Sequence, residues 1–283
     1  MSIKHLDTIA NNTWCPGCGN FAILMTVKQA LTELKLKPEE IVAVTGIGCH
    51  GKFTDYIKVN GIHTLHGRVL PTATAIKLAN HDLTILGFAG DGDAFNIGLG
   101  HFAHAARRNI NMTYVIHDNL IYGLTTGQTS PTSKQGFVTK TSPRGEWSIA
   151  INPLTQALTA HASFVARTFA GEPKHMKQVL MEAIRHDGFA IVDVLQPCVS
   201  FNKVNTYQFY KERVYKLEDE KYDTGDLNKA YAKAEEWGTK IPIGVFYQED
   251  RPVYRNNFPV LKKGCLVKQP LERDMEVHFK EFM

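Results

Sequence analysis

Residues 83 to 96 read "LTILGFAGDGDAFN", and this segment carries the clearest indication of the chain's architecture. Its first half is an apolar run typical of a buried strand, and its second half opens a helix. The glycines of the Gly-Asp-Gly turn let the backbone approach a diphosphate closely, and a helix N-terminus offers free N–H groups to an anion. Asp91 in this turn is placed to hold a divalent cation that bridges the phosphates. Because such turns are common, the stretch indicates a phosphate site only together with other features.

The chain on both sides of this stretch alternates between strand and helix patterns. The first helix should turn one face inward, formed by Phe21, Leu24, Met25, Lys28, Leu31 and Leu34. Strands are predicted at 41–49, 62–68, 83–93, 111–119, 163–169 and 189–198, and helices at 21–35, 71–80, 94–108, 153–161 and 173–186. This alternation predicts an α/β fold with an open, mostly parallel sheet and helices on both faces.

A second polar motif supports the phosphate site. "HDN" at 117–119 ends the fourth predicted strand, and 26 residues separate Gly92 from Asn119. One helix and one strand fit this gap, so both loops should emerge at the carboxyl edge of the sheet, where ligands of open α/β sheets bind. The two motifs together predict a site for a diphosphate and a divalent cation.

The composition limits the classes of function. An apolar content of 43% and a charged content of 21% are ordinary for a globular protein, and a net charge of +4 is too small to indicate nucleic-acid binding. The N-terminal "MSIKHLDTIA" has no apolar signal core, and no apolar stretch approaches the roughly 18 residues of a membrane span. We therefore expect a cytoplasmic protein with neither a membrane nor a nucleic-acid partner, whose five cysteines serve metal binding or catalysis rather than disulfides.

Four of the cysteines are expected to converge. Cys49 follows the first strand and Cys198 the last one, while Cys15 and Cys18 of "CPGC" precede the first helix and can fold over the same edge. Four thiolates suit either tetrahedral zinc or an iron–sulfur cluster. A thioredoxin-like role is disfavoured because no strand precedes the motif. Cys265 is left over as a structural or free thiol.

Five segments together resemble one family. "NTWCPGCGN", "TGIGCHGK", "LHGR", "GDGDAFNIGLGH" and "DNLIYGLTTGQTSPT" are similar, in this order, to the β subunit of the 2-oxoacid:ferredoxin oxidoreductases. The resemblance covers residues 11 to 200. It implies the thiamine-diphosphate-binding fold and an enzyme that oxidatively decarboxylates a 2-oxoacid with coenzyme A, giving acyl-CoA and CO₂. Its electrons would pass through a [4Fe–4S] cluster to ferredoxin, and an α subunit would complete the cofactor site.

The resemblance also implies roles for individual residues. The cluster would be held by Cys15, Cys18, Cys49 and Cys198, and Mg²⁺ by Asp91, the Asn119 side chain and the Ile121 carbonyl. The residues implied to contact thiamine diphosphate are Ile47, Gly48, Cys49, His50, His66, Gly92, Asp93, Gly123 and Leu124. We expect His101, His104 and His117 to be structural.

One departure from the family pattern bears on the substrate. The pyruvate-specific branch has Asn-Thr-Gly-Gly where this chain has Leu124-Thr125-Thr126-Gly127. This favours 2-oxoglutarate or a range of 2-oxoacids, although a pyruvate-preferring member stays open. Lys52 is the candidate for pairing with a substrate carboxylate, with Leu124 limiting the pocket and Arg68 as a second candidate.

Two different classes of function also stay open. A non-redox thiamine-dependent lyase or transferase would use the diphosphate site, but it would not need the four cysteines. A structural zinc-binding α/β scaffold would use the cysteines, but the paired Asp91 and Asn119 argue against it.

The pattern changes near residue 200. We predict a cofactor-binding domain over 1–199 and an extension over 200–283 that wraps the domain or a partner. The stretch "FNKVNTYQFYKERVYKLEDEKYDTGD" is aromatic and charged, and it indicates no strand–helix alternation.

Overall fold

One sheet of eight strands organises the computed structural model, which describes residues 3–270, 272, 275–280 and 282–283. Residues 1 and 2 of the predicted domain, and 271, 273, 274 and 281 of the predicted extension, lie outside the described residues. The strands are β1 (Ile41–Thr45), β2 (Asn60–His63), β3 (Thr84–Gly90), β4 (Met112–Asp118), β5 (Phe164–Phe169), β6 (Phe189–Leu195), β7 (Val214–Lys216) and β8 (Ile241–Gln248).

The α-helices mostly fill the connections between strands. They are α1 (Gly19–Glu33), α2 (Phe53–Tyr56), α3 (Val69–Ala79), α4 (Asp91–Phe95), α5 (Leu99–Arg107), α6 (Pro153–Thr159), α7 (Pro173–Arg185), α8 (Tyr207–Lys211), α9 (Leu227–Ala234), α10 (Pro259–Lys262) and α11 (Met275–Phe279). None of the helices in the described ranges is long and apolar enough to cross a bilayer.

The strand order is β2-β1-β3-β4-β6-β5-β8-β7. All pairings among strands β1 to β6 are parallel. Strand β8 pairs antiparallel with β5, and β7 runs parallel to β8. The predicted open, mostly parallel sheet is therefore confirmed. Because β1, β3, β4 and β6 are parallel, their carboxyl ends meet at one edge, and the loops that follow them are brought together.

Both faces of the sheet are buried. In β1, Ile41 and Ala43 pack in one core with residues of α1 and α7, whereas Val42 and Val44 pack in a second core with residues of α3 and α5. This confirms the predicted helices on both faces. It also explains why the strands are nearly continuous apolar runs rather than alternating ones.

The predicted helix over 94–108 is wrong in its bounds. The chain forms α4 directly after the Gly-Asp-Gly turn, leaves the helical conformation at Asn96 (φ −93°, ψ −102°), and starts α5 at Leu99. The restart passes so close to α4 that a Cβ on Gly98 would lie 2.5 Å from the Asp93 carbonyl oxygen. The glycine thus permits a break that a helical pattern does not reveal.

The predicted inward face of the first helix is correct only in part. Leu24, Lys28 and Leu31 are buried, but Phe21 and Met25 are 39% and 49% exposed. The buried stripe instead includes Ile23, Val27 and Ala30, since apolar residues occupy most of the helix circumference and leave the face ambiguous. Lys28 is buried because its Nζ is paired with Asp7 at 2.8 Å.

The expectation that no strand–helix alternation follows residue 200 is also wrong. The order there is α8, β7, α9, β8, and β8 extends the sheet by pairing with β5. The apolar run of β8 lies beyond the aromatic and charged stretch on which the expectation was based. The division between residues 199 and 200 remains a prediction.

A buried ion pair joins two of the parallel strands, and its cation also contacts aromatic rings of the part of the chain after residue 200. Arg167 of β5 donates from Nε to Asp193 of β6 at 2.9 Å, and both side chains are almost fully buried. The guanidinium also lies 5.3 Å from the Trp237 ring centroid and 5.8 Å from that of Phe246. Burial raises the pKa of Asp193, and the neighbouring guanidinium opposes this rise.

Replacing Arg167 by Met is expected to lower the free energy of unfolding by about 3–5 kcal/mol, because Asp193 would lose its buried cation. Urea denaturation followed by circular dichroism measures the effect. The matched control is Arg185→Met at an exposed position, which should change the value by about 0.5 kcal/mol or less. A similar small change for Arg167→Met would contradict the assigned role of the ion pair.

Candidate functional site

A cavity of about 510 Å³ lies at the carboxyl edge of the sheet. Its walls come from the loops after β1, β3, β4 and β6, as the strand directions require. The twelve residues predicted to contact the cofactor or Mg²⁺ all line it: Ile47, Gly48, Cys49, His50, His66, Asp91, Gly92, Asp93, Asn119, Ile121, Gly123 and Leu124. The structure thus brings these residues together, while their roles as ligands remain predictions.

Asp91 sits at the floor of this cavity, at the first position of α4. It is 2% exposed, and its Oδ2 accepts a hydrogen bond of 2.6 Å from the Thr132 hydroxyl. Burial raises the pKa of Asp91 to about 6, although hydrogen bonds from Ser130 and Thr132 oppose the rise. A bound cation would relieve this penalty, since it stabilises the ionised carboxylate.

The Asn119 amide is held in one orientation. Its Nδ2 donates to Gln196 Oε1 at 3.1 Å, and its Oδ1 accepts from the Ile121 backbone N–H at 3.2 Å. The amide oxygen, the Ile121 carbonyl and the Asp91 carboxylate are all hard oxygen donors of the kind Mg²⁺ prefers. The chemistry of this donor set fits the implied magnesium ion.

Asp93 connects two loops to the start of α4. Its Oδ1 accepts from the backbone N–H of Gly67 at 2.7 Å and of Ile47 at 3.2 Å, and it lies 3.1 Å from His66 Nδ1. The carboxylate therefore fixes the loops that follow β1 and β2 against the start of α4. It shapes the cavity wall on which the predicted contacts depend.

Two buried histidines face each other across the same wall. The rings of His50 and His117 are 5.9 Å apart, and His117 Nδ1 pairs with Asn20 Oδ1 at 2.7 Å. Burial lowers the pKa of His117 to about 3 and that of His50 well below its usual value, so both rings are neutral near pH 7. The expectation that His117 is merely structural is incomplete, because the residue also lines the cavity.

A second cavity of about 240 Å³ adjoins the first and is lined by all four predicted cluster cysteines. Cys49 and Gly123 belong to both cavities. A Cβ on Gly123 would lie 3.6 Å from Cys198 Sγ and 3.7 Å from Cys49 Sγ, so the glycine sits directly against two of the sulfur atoms. The expected convergence of three chain segments is therefore present.

One hydrogen bond within the N-terminal loop and two between distant segments explain this convergence. The Cys18 N–H bonds to the Cys15 carbonyl at 3.0 Å, which closes the Cys-Pro-Gly-Cys turn. Trp14 Nε1 donates to the Cys49 carbonyl at 2.7 Å, and the Gly19 N–H reaches the Pro197 carbonyl at 3.4 Å. These bonds fasten the N-terminal loop to the segments that follow β1 and β6.

The spacing of the sulfur atoms bears on what they can hold. Among the described residues, one group of three potential ligands lies within 4.8 Å of one another, and it is His81, Asp82 and Cys265. No three sulfur atoms of the second cavity are that close, whereas tetrahedral zinc with Zn–S bonds of about 2.3 Å needs them about 3.8 Å apart. The four cysteines are therefore spaced more widely than the ligands of a closed tetrahedral zinc site.

The charge state of these cysteines accords with a bound metal centre of either kind. Burial raises the pKa of Cys18 to about 12 and also raises that of Cys49, with neighbouring cysteines adding to both shifts. The thiolate form, which binds metal, is thus disfavoured until a cationic centre compensates.

The remaining predicted residues fall in different places. Lys52 lines the second cavity and donates from Nζ to Thr13 Oγ1 at 3.0 Å, while Leu124 lines both cavities and is 45% exposed. Arg68 lines neither cavity and contacts the Gly67 carbonyl at 3.4 Å. Cys265 lies beside Asp82, just before β3, at the opposite edge of the sheet.

Comparison with known proteins decides the family. Residues 46–194, just over half of the chain, match the model of the thiamine pyrophosphate enzyme C-terminal TPP-binding domain. Residues 198–263 match the C-terminal model of the pyruvate ferredoxin oxidoreductase β subunit. The chain is 47% identical to the 2-oxoacid:ferredoxin oxidoreductase β subunit of Saccharolobus solfataricus, over 84% of this chain and 82% of that one. The chain belongs to this family of β subunits.

Two further relatives point to one branch of the family. The 2-oxoglutarate oxidoreductase subunit KorB of Mycobacterium tuberculosis is 47% identical over 67% of this chain and 51% of its own length. A solved structure of 2-oxoglutarate:ferredoxin oxidoreductase from Magnetococcus marinus, with 2-oxoglutarate, coenzyme A and succinyl-CoA bound, matches with a TM-score of 0.92. It has 38% identity and covers 99% of this chain and 96% of that chain. The predicted family and the thiamine-diphosphate-binding fold are confirmed.

Several residues of the site were missed by sequence reasoning. The main ones are Asn96, Tyr122, Gln128 and Gln196, which line the first cavity, and Thr132, which bonds to Asp91. A signal existed for all of them. Asn96 lies within the family segment "GDGDAFNIGLGH", and Tyr122, Gln128 and Thr132 lie within "DNLIYGLTTGQTSPT". Gln196 stands two residues before a predicted cluster ligand. Asn96 and Tyr122 meet only through the fold, by a hydrogen bond of 2.9 Å.

Replacing Asp91 by Ala should weaken Mg²⁺-dependent binding of thiamine diphosphate by about 100-fold or more, because loss of an outer-shell partner alone costs about 10–100-fold. Calorimetric titration of the complex with the cofactor and Mg²⁺ measures this. Asp82→Ala, at the opposite edge of the sheet, is the matched control and should bind like the parent. Parental affinity in the Asp91 variant would show that Asp91 does not hold the ion.

Proposed function

We propose that this chain is the cofactor-bearing subunit of a 2-oxoglutarate-preferring 2-oxoacid:ferredoxin oxidoreductase. The enzyme would convert the 2-oxoacid and coenzyme A into acyl-CoA and CO₂, with ferredoxin taking up the electrons. The observation that carries the proposal is a shared wall. A cavity with oxygen donors for Mg²⁺ adjoins a cavity with four cysteines, and Cys49, Asn119, Gly123 and Gln196 belong to both.

The first cavity would hold the diphosphate end of thiamine diphosphate. Asp91, Asn119 and the Ile121 carbonyl would bind the Mg²⁺ that neutralises the phosphates. When bound, the thiazolium of the cofactor supplies the electron sink that decarboxylation of a 2-oxoacid requires. The chain's own contribution is to hold this ion, to present neutral His50 and His117, and to fix His66 against Asp93.

The second cavity would hold a [4Fe–4S] cluster through Cys15, Cys18, Cys49 and Cys198. When bound, such a cluster accepts and passes on single electrons. Cys15 is exposed, so the cavity reaches the protein surface. A ferredoxin docked there would be close to the cluster ligands. The same reduced cysteines accord with a cytoplasmic location, which is part of the proposal.

Substrate choice would depend on the rim between the cavities. Lys52 carries a positive charge beside Cys49 and Leu124, where it can pair with the distal carboxylate of a dicarboxylic 2-oxoacid. The ligands of the Magnetococcus structure accord with this choice. Leu124 would limit the depth of the pocket.

An α subunit would supply the wall that this chain lacks. The chain has one proposed diphosphate site and one sheet. Ile47, which lines the cavity, is 39% exposed, and Leu65 and Ile97, which neighbour the lining residues His66 and Asn96 in sequence, are 77% and 54% exposed. Exposed apolar groups that surround a ligand site are typical of an interface between subunits. The extension after residue 200 also exposes Trp237 and Val267, and we place it at an interface.

Cysteine substitutions test the cluster. Cys198→Ser should lower the iron content or make the cluster labile, because a serine oxygen replaces a thiolate ligand. Cys265→Ser should leave iron and activity at the parental level, since Cys265 lies at the other edge of the sheet. Iron analysis and visible absorption under anaerobic conditions measure both. Equal effects of the two substitutions would exclude the proposed ligand set.

Lys52→Ala should raise KM for 2-oxoglutarate about tenfold and change KM for pyruvate little, because a hydrogen bond to a charged group is worth about 1.5 kcal/mol or more. Steady-state assays of the complex with both substrates measure the split. Lys58→Ala, at an exposed position outside both cavities, is the control. An equal rise for the two substrates would mean that Lys52 does not meet the distal carboxylate.

The β chain alone should not turn over substrate. Expressed without its partner and reconstituted anaerobically, it should contain iron but fail to reduce a viologen dye with any 2-oxoacid, because half of the cofactor site is missing. The co-expressed αβ complex is the positive control. Turnover by the isolated chain at the rate of the complex would contradict the proposed division of the site.

A further inference from the structure

Gln196 joins the two halves of the site. It follows β6 and is only 1% exposed, yet both polar atoms of its side chain have partners. Oε1 accepts from Asn119 Nδ2 at 3.1 Å, while Nε2 donates to Cys18 Sγ at 3.4 Å and to the Pro197 carbonyl at 3.1 Å. One amide therefore touches a proposed magnesium ligand with its oxygen and a proposed cluster ligand with its nitrogen.

The surroundings leave this side chain little freedom. Its backbone N–H bonds to the Asp118 carbonyl at 2.8 Å, which continues the pairing of β4 and β6. Gly19 packs so closely that a Cβ there would lie 2.7 Å from Gln196 Cγ. The first residue of α1 thus has to be small for Gln196 to reach both partners.

Each of the two hydrogen bonds has a physical consequence. An N–H donated to a cysteine sulfur of an iron–sulfur cluster favours the more negative, reduced state and raises the reduction potential. At the other end, Gln196 accepts from the NH₂ group of Asn119, so the Asn119 oxygen is the atom left for a cation. The orientation of that amide follows from Gln196 and from the Ile121 N–H.

We propose that Gln196 is a positioning residue with two effects: it raises the reduction potential of the cluster through Cys18, and it keeps the Asn119 amide oxygen available to Mg²⁺. This inference rests on the proposed function and goes beyond it, since it links the electron-accepting centre to the diphosphate site through one side chain. The two effects separate by chemistry, because one needs the amide nitrogen and the other the amide oxygen.

The test compares Gln196→Met with Gln128→Met in the anaerobically purified αβ complex. Gln128 lines the same cavity, but its amide bonds to Thr125. Gln196→Met should keep its iron and shift the one-electron equilibrium about tenfold toward the oxidised cluster, which is about 59 mV to more negative potential. It should also weaken Mg²⁺-dependent thiamine diphosphate binding. Gln128→Met should leave the potential unchanged. Redox titration followed by electron paramagnetic resonance gives the potentials, and calorimetry gives the affinities.

Gln196→Glu separates the two effects and serves if the Met variant does not fold. It keeps an acceptor for Asn119 but loses the amide N–H, so above neutral pH its potential should fall while its cofactor affinity stays near the parental value. A parental potential in an iron-containing Gln196 variant overturns the inference. Loss of iron from both Gln196 variants, with iron kept in Gln128→Met, also overturns it by showing a purely structural role. Absence of iron from the parent complex would instead contradict the proposed function.

Discussion

The parallel direction of β1, β3, β4 and β6 is the constraint on which the site depends. Each of these strands ends at the same edge, so four loops that are distant in sequence meet there. The first loop brings Cys49, the second Asp91, the third Asn119 and the last Cys198. Hydrogen bonds from Trp14 and Gly19 then fasten the Cys-Pro-Gly-Cys turn over this edge. The oxygen donors and the sulfur donors are therefore neighbours because the strands that carry them run in the same direction.

Burial gives this edge its chemical character. It raises the pKa of Asp91 to about 6, and it raises the pKa of Asp118 well above its usual value, with Asp193 and Asp91 adding to that second shift. The pKa values of the Cys18 and Cys49 thiols are shifted in the same direction. Acidic groups that are buried together without cations cost free energy, and bound Mg²⁺ and iron would remove that cost. The neutral histidines add hydrogen-bonding capacity without adding positive charge that would repel these ions.

The features that could be predicted from the sequence are those that short motifs of adjacent residues carry. Gly-Asp-Gly, His-Asp-Asn and the cysteines each stand at the end of a strand or just before a helix, so the strand pattern also located them at one edge. The sequence pattern did not predict the break between α4 and α5 at Asn96, because this break depends on how closely Gly98 approaches Asp93. It missed β8, whose antiparallel pairing with β5 is a long-range contact. The wall position of His117 and the double bonding of Gln196 also depend on contacts between distant segments, which periodicity cannot show.

Anomalous diffraction from crystals of the anaerobically purified αβ complex, measured on both sides of the iron edge, identifies the metal that the four cysteines bind. We expect iron density of cluster size between Cys15, Cys18, Cys49 and Cys198, against Gly123 and next to the diphosphate cavity. Density for a single zinc ion at these sulfur atoms, or iron bound elsewhere in the complex with these cysteines unliganded, would contradict it.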